Sequence, residues 1–184
     1  MKQEYIQRQK LQTVDLAYIA VGAALLAICA WISIPLTVPI TLQTFAVFFI
    51  LAALGGKRGT CSILIYILLG AVGMPVFSHF SSGIGTLLGN TGGYILGFLW
   101  MGIVYLVLTK LFGRKLTVQI IASLLGLSLC YISGTAWFMY VYAKTNEAVS
   151  LSTILTWCVL PFILPDLIQL GLALAIARRI QPMI

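Results

Sequence analysis

Long apolar runs separated by short polar or glycine- and proline-rich breaks dominate the chain. Runs of roughly 20 apolar residues are what a helix needs to cross the hydrocarbon core of a bilayer. The first run follows Asp15 and ends at Pro35; the stretch to Pro39 cannot continue a helix, because each proline lacks an amide donor. A second run, about 41–54, is stopped by Gly55, Gly56, Lys57, Arg58 and Gly59. A third covers about 60–72, and an uncharged loop rich in Gly, Ser and Thr occupies 73–91. The fourth, about 92–112, stops at Gly113, Arg114 and Lys115. The fifth is about 117–143, leaving through Lys144 to Glu147, and the sixth is about 152–177, carrying Pro161 and Pro165. The expectation is one all-α transmembrane domain over 1–184: a bundle of six helices, the first spanning about 15–34, with 1–14 as a polar segment on the membrane surface. The first run is too long for a signal-peptide core, and Ile28 stands before Cys29 where a lipoprotein site needs a small residue, so the span is read as retained.

Charge fixes the expected orientation. With six spans, Lys2, Arg8, Lys10, Lys57, Arg58, Lys110, Arg114, Lys115, Arg178 and Arg179 fall on one side, and Lys144 alone of the 11 bases on the other. The excess of bases on cytoplasmic loops then places both termini in the cytoplasm of a prokaryotic-type, multi-pass cell-membrane protein. Composition agrees: 61% of residues are hydrophobic and 8% charged, and the mean hydropathy is +1.07. Soluble domains are about one-quarter charged, so a soluble enzyme is excluded. The net charge of +7 sits between apolar runs rather than along one face, which points to membrane orientation and not to a nucleic-acid partner. Cys29, Cys61, Cys130 and Cys158 lie inside apolar runs without metal-ligand spacing, so no metal or other cofactor is expected.

Three polar clusters interrupt the apolar pattern. Asp166 stands deep in the sixth run, where an ionisable group costs roughly 3 kcal/mol or more unless it meets a cavity or a partner. Its use is either a ligand contact or a hydrogen bond to a neighbouring helix; Gln169 follows one turn on. Thr41, Gln43 and Thr44 open the second run, as a helix cap or as part of a site. Gly89, Asn90, Thr91, Gly92, Gly93 and Tyr94 open the fourth, where glycines let backbone amides approach a ligand. Tyr131, Trp137 and Tyr140 in the fifth run are candidate walls. There is no nucleophile–base pair and no phosphate-binding loop, which disfavours an enzyme and a self-powered pump and leaves capture of a small molecule.

The passages Pro39–Thr44, Gly70–Phe77, Gly89–Tyr94 and Pro161–Asp166 carry a resemblance over nearly the whole chain. It resembles the BioY-type, biotin-specific substrate-capture subunit (S component) of energy-coupling factor (ECF) transporters. The resemblance implies a biotin pocket near the outer face, closed by the 1–2 and 3–4 loops. Its partners would be a transmembrane coupling subunit, two cytoplasmic ATPases and membrane lipid. The implied substrate-binding residues are Gln43, Thr44, Asn90, Gly93, Tyr94, Trp137, Asp166 and Gln169. Asn90 stands where the family pattern has proline, and Gln169 where it has lysine. Ala20, Ala23, Ala24 and Ala27 repeat Ala-x-x-x-Ala spacing on the first helix, which lets helices approach closely in lipid, and S components resemble one another in docking the coupling subunit through such a face. The alternatives are a stand-alone biotin transporter that works without the ATPases, and a membrane enzyme using Asp166 as acid or base.

Overall fold

A computed structural model describes residues 12–35, 38–145 and 150–180. Most of the surface segment expected over 1–14, the exit at 146–149 and the tail at 181–184 lie outside the described residues. Among the described residues eight α-helices follow one another: α1 Thr13–Trp31, α2 Gln43–Leu54, α3 Gly56–Ala71, α4 Ile84–Leu88, α5 Gly92–Phe112, α6 Leu116–Thr145, α7 Leu151–Cys158 and α8 Leu160–Ile180. Between α1 and α2, Ser33–Ile34 (β1) pairs antiparallel with Ile40–Thr41 (β2), in register Ser33 to Thr41 and Ile34 to Ile40.

Local chemistry explains the breaks. Gln12 N–H donates to Asp15 Oδ2 (2.9 Å) at the start of α1, and Arg58 at the start of α3 pairs with the other oxygen of Asp15 (Nη2–Oδ1 2.6 Å). Pro35 and Pro39 keep the chain extended after α1, so it returns as a two-stranded hairpin. The turn at Gly55 (φ +86°) uses a left-handed conformation that costs glycine little. It sends the chain straight back into α3, with Gly56 against the Leu106 backbone. The stretch expected as a loop, 73–91, holds a 3-10 turn, Ser78–Phe80, as well as α4. The run expected as one span over 152–177 is carried by two helices broken at Val159. Pro161 is the cause: it sits in the first turn of α8, where its missing N–H would have no helical partner in any case.

The helices pack α1 on α3, α2 on α8, α3 on α5, and α5 antiparallel to α6. Gly97 against Cys130 and Gly126 against Met101 bring α5 and α6 close together. Phe48, Ile50, Leu51, Ile63, Tyr66, Phe77, Met101 and Tyr105 fill the core. A smaller cluster of Val38, Phe138, Ile154, Cys158 and Phe162 lies at the hairpin end of the bundle. The outward surface is also apolar, with Val21, Leu111, Ile132 and Leu164 exposed. Thr13–Trp31, Gly92–Phe112, Leu116–Lys144 and the combined run Leu151–Ile180 are each long and apolar enough to cross a membrane. At 12 residues and about 1.5 Å per residue, α2 reaches about 18 Å, less than a full hydrocarbon core of about 30 Å.

Candidate functional site

Two features of α8 create the site. Pro161 starts the helix beside the smaller cluster, and Asp166 follows on its inward face, 4% exposed. The carboxylate accepts a hydrogen bond from Tyr131 Oη on α6 at 2.5 Å, and Thr44 of α2 lines the same cavity. Asp166 thereby opens onto a cavity between the hairpin, the first turns of α2 and α5, the middle of α6 and the end of α7. The enclosed part of the cavity is small, about 70 Å³, and its mouth is open to solvent.

The wall is polar in few places. Gln43 Nε2 donates to Tyr66 Oη (2.8 Å), which leaves its amide oxygen and second N–H for the cavity. Tyr66 is in turn fixed edge-on against Phe77 (centroids 5.5 Å, 80°). Tyr94 reaches the wall from α5 and shares a hydrogen bond with Thr135 Oγ1 (3.0 Å). Ser78 and Thr91 add hydroxyls; Phe98, Leu127 and Phe162 are apolar wall. Such a cavity binds an apolar body and reads its polar groups by a few fixed donors and acceptors. Among the described residues no three His, Cys, Asp or Glu side chains gather as a metal site would require.

Of the residues expected from sequence, Gln43, Thr44, Tyr94 and Asp166 meet around this one cavity. Asn90, Gly93, Trp137 and Gln169 stand beside it without forming its wall. Trp137 Nε1 donates to the Gly89 carbonyl (3.0 Å), and Gly93 is glycine because a Cβ there would overlap Trp137 Cβ. This pair clamps the entry of α5 to α6. Gln169 turns toward α2: its Oε1 accepts from Phe45 N–H (2.7 Å) and its Nε2 donates to the Thr41 carbonyl (3.1 Å). The alanines divide as well. Ala20 and Ala24 face outward, whereas Ala23 (3% exposed) and Ala27 are packed inside the bundle. Sequence reasoning placed Tyr131 as a wall and did not pair it with Asp166. It passed over Ser78, Phe98, Leu127 and Phe162, which carry no signal that separates a cavity wall from ordinary packing.

Known proteins share this sequence pattern and this architecture. The family model described as the BioY family matches residues 2–184. The chain is 39% identical to the probable biotin transporter BioY of Pyrococcus horikoshii over 169 residues, 91% of this chain and 96% of that protein. It is 37% identical to the biotin transporter BioY of Thermotoga maritima over 159 residues, 86% of this chain and 90% of that one. Its fold is similar to the crystal structure of the S-component for biotin from an ECF-type ABC transporter, with a TM-score of 0.79, 28% identity, and 92% and 91% of the two chains covered. Identity sustained along nearly the full length, together with the matching fold, leads to one assignment: the chain belongs to the BioY family.

Proposed function

We propose that this membrane protein is the biotin-binding S component of an ECF-type ABC transporter, a capture subunit and not an enzyme. The observation that carries the reading is the Asp166 carboxylate, held by Tyr131 at the end of a mostly apolar cavity. Biotin's ureido ring offers two N–H donors and a carbonyl acceptor. The carboxylate receives a ureido N–H, and the free N–H of Gln43 serves the carbonyl. The apolar ring and aliphatic tail lie along Phe98, Leu127 and Phe162. Repulsion in a low-dielectric site turns the ligand's own carboxylate away from Asp166, and the hydroxyls of Ser78 and Thr91 are the wall donors that remain for it. Gly93 and Trp137 act one step back, by fixing the α4–α5 turn.

In the membrane, α1, α2, α3, α5, α6 and the α7–α8 pair form six spans. The basic residues at the start of α3 and between α5 and α6 face the cytoplasm with both termini, and the hairpin and cavity face outward. Biotin is captured outside and released inside after docking to a transmembrane coupling subunit driven by two cytoplasmic ATPases. The outward stripe of Ala20 and Ala24 is the docking face, because small side chains permit close helix approach. The test is binding of tritiated biotin to the purified, detergent-solubilised chain, followed by uptake in cells with and without the coupling module. Saturable binding with uptake only when the module is present is expected. Absence of binding removes biotin as the ligand, and uptake without the module removes the dependence on ATPases.

A further inference from the structure

We propose that Gln169 is a positioning residue of the cavity: its side-chain amide caps α2 from across the bundle and thereby holds the hairpin over the ligand site. The choice of ligand in the test below rests on the biotin reading; the role itself rests on geometry.

The first N–H groups of a helix have no partner inside that helix. In α2, Gln43 N–H is taken by Thr41 Oγ1 (3.2 Å), and Ala46 N–H makes the first intrahelical bond, to the Leu42 carbonyl (3.1 Å). Phe45 N–H lies between them, and its partner is Gln169 Oε1 (2.7 Å), 124 residues away in sequence. The other end of the same amide donates to the Thr41 carbonyl (3.1 Å). A single neutral side chain thus grips one donor and one acceptor on either side of the helix start. That double grip dictates the residue type, since a carboxylate has no donor and an ammonium no acceptor, whereas the glutamine amide has both. Gln169 is 7% exposed, so neither bond is readily replaced by water.

What is gripped belongs to the site. Thr41 ends β2, whose pairing with β1 closes the hairpin, and Leu42 N–H continues that pairing to the Ile32 carbonyl (3.1 Å). Val38 and Pro39 of the hairpin and Gln43 and Thr44 of the gripped turn are cavity wall. The turn of α8 that presents Asp166 to the cavity therefore also fixes, through Gln169, the segment that covers it.

A clamp on a cover and a direct ligand contact leave different kinetic marks. Losing a contact speeds dissociation alone; loosening a cover speeds entry and exit together. The full chain in detergent is compared with Gln169→Leu, which keeps the bulk and removes both bonds, and Gln169→Glu, which keeps only the acceptor for Phe45. Without ligand, hydrogen exchange of the peptides covering 40–46 is expected to rise about tenfold or more in Gln169→Leu and less in Gln169→Glu, with α5 and α6 unchanged. With tritiated biotin, association and dissociation are both expected to accelerate about three- to tenfold, so that Kd moves less than either rate. Unchanged exchange at 40–46, a rise spread evenly over the chain, or faster dissociation alone would each overturn the assignment. If the unaltered chain fails to bind biotin, the biotin reading falls, and the exchange measurement still decides the role of Gln169.

Discussion

Asp166 has two geometric roles, and a pair of substitutions separates them. Its carboxylate ties α8 to α6 through Tyr131 (2.5 Å), and it also opens onto the cavity. Asp166→Ala removes the tie and the acceptor together. Tyr131→Phe breaks the same tie but leaves the carboxylate in place. A hydrogen bond to a charged group contributes about 1.5–3 kcal/mol, and each 1.4 kcal/mol is about tenfold in affinity. Loss of the ligand's N–H contact in Asp166→Ala is therefore expected to raise the Kd for biotin by about ten- to a hundredfold. Tyr131→Phe loses only the orientation of the acceptor, and a smaller rise of about three- to tenfold is expected. Asp166→Asn keeps the shape and one acceptor and should fall between the two.

Isothermal titration of the purified variants with biotin gives the affinities, and thermal melting of the same samples reports the tie. If Asp166 touches the ligand, Asp166→Ala loses about three to ten times more affinity than Tyr131→Phe while the two melt at similar temperatures. Equal losses in both variants would mean that affinity follows the α6–α8 tie, and unaltered affinity in Asp166→Ala would place the ligand elsewhere.

Other substitutions test the remaining assignments. Ala20→Trp and Ala24→Trp, on the outward stripe, should leave biotin affinity within about twofold and abolish co-purification with the coupling subunit, since close helix approach is lost; retained co-purification in both refutes the docking face. Gly93→Ala forces a methyl group into Trp137 and should destabilise the protein by about 1–3 kcal/mol, read as a lower melting temperature together with weaker binding; an unchanged melt argues against the clamp. Single cysteines at Lys57 or Arg114 should react with an impermeant thiol reagent only from the cytoplasmic side, and one at Ser150 only from outside, in a background lacking the native cysteines. The opposite pattern reverses the topology.

Legibility followed the kind of physics involved. Helices over the apolar runs were legible because twenty apolar residues have few other uses. The turns at Gly55 and Gly113 were legible because glycine adopts their positive φ at little cost. Asp166 was legible because an acid in an apolar run is expensive. The break at Val159 was not, since hydropathy is the same on both sides and only the prolines mark it. Gln169 shows the limit of helical spacing. A residue three positions on lies about one turn further along the axis and about 60° around it, so it counts as the same face. That offset is enough to move the side chain from the cavity to α2. The same offset separates Ala23 and Ala27, inside the bundle, from Ala20 and Ala24, outside it.

The cost of keeping Asp166 also bears on how binding and closure are linked. An ionisable group at this depth persists only if polar partners offset its burial. Among the described residues Tyr131 supplies a donor, fewer than the roughly four lone-pair sites that a carboxylate presents. Asp166 also lines the cavity, so on the proposed function a ligand N–H adds a partner for it. Thr44, which lines the cavity with Asp166, stands in the turn of α2 that Gln169 grips. Whatever draws that turn toward the carboxylate also draws the hairpin toward the cavity, since both are joined at Thr41. On the proposed function, a ligand that contacts both Asp166 and this turn also stabilises the covered arrangement.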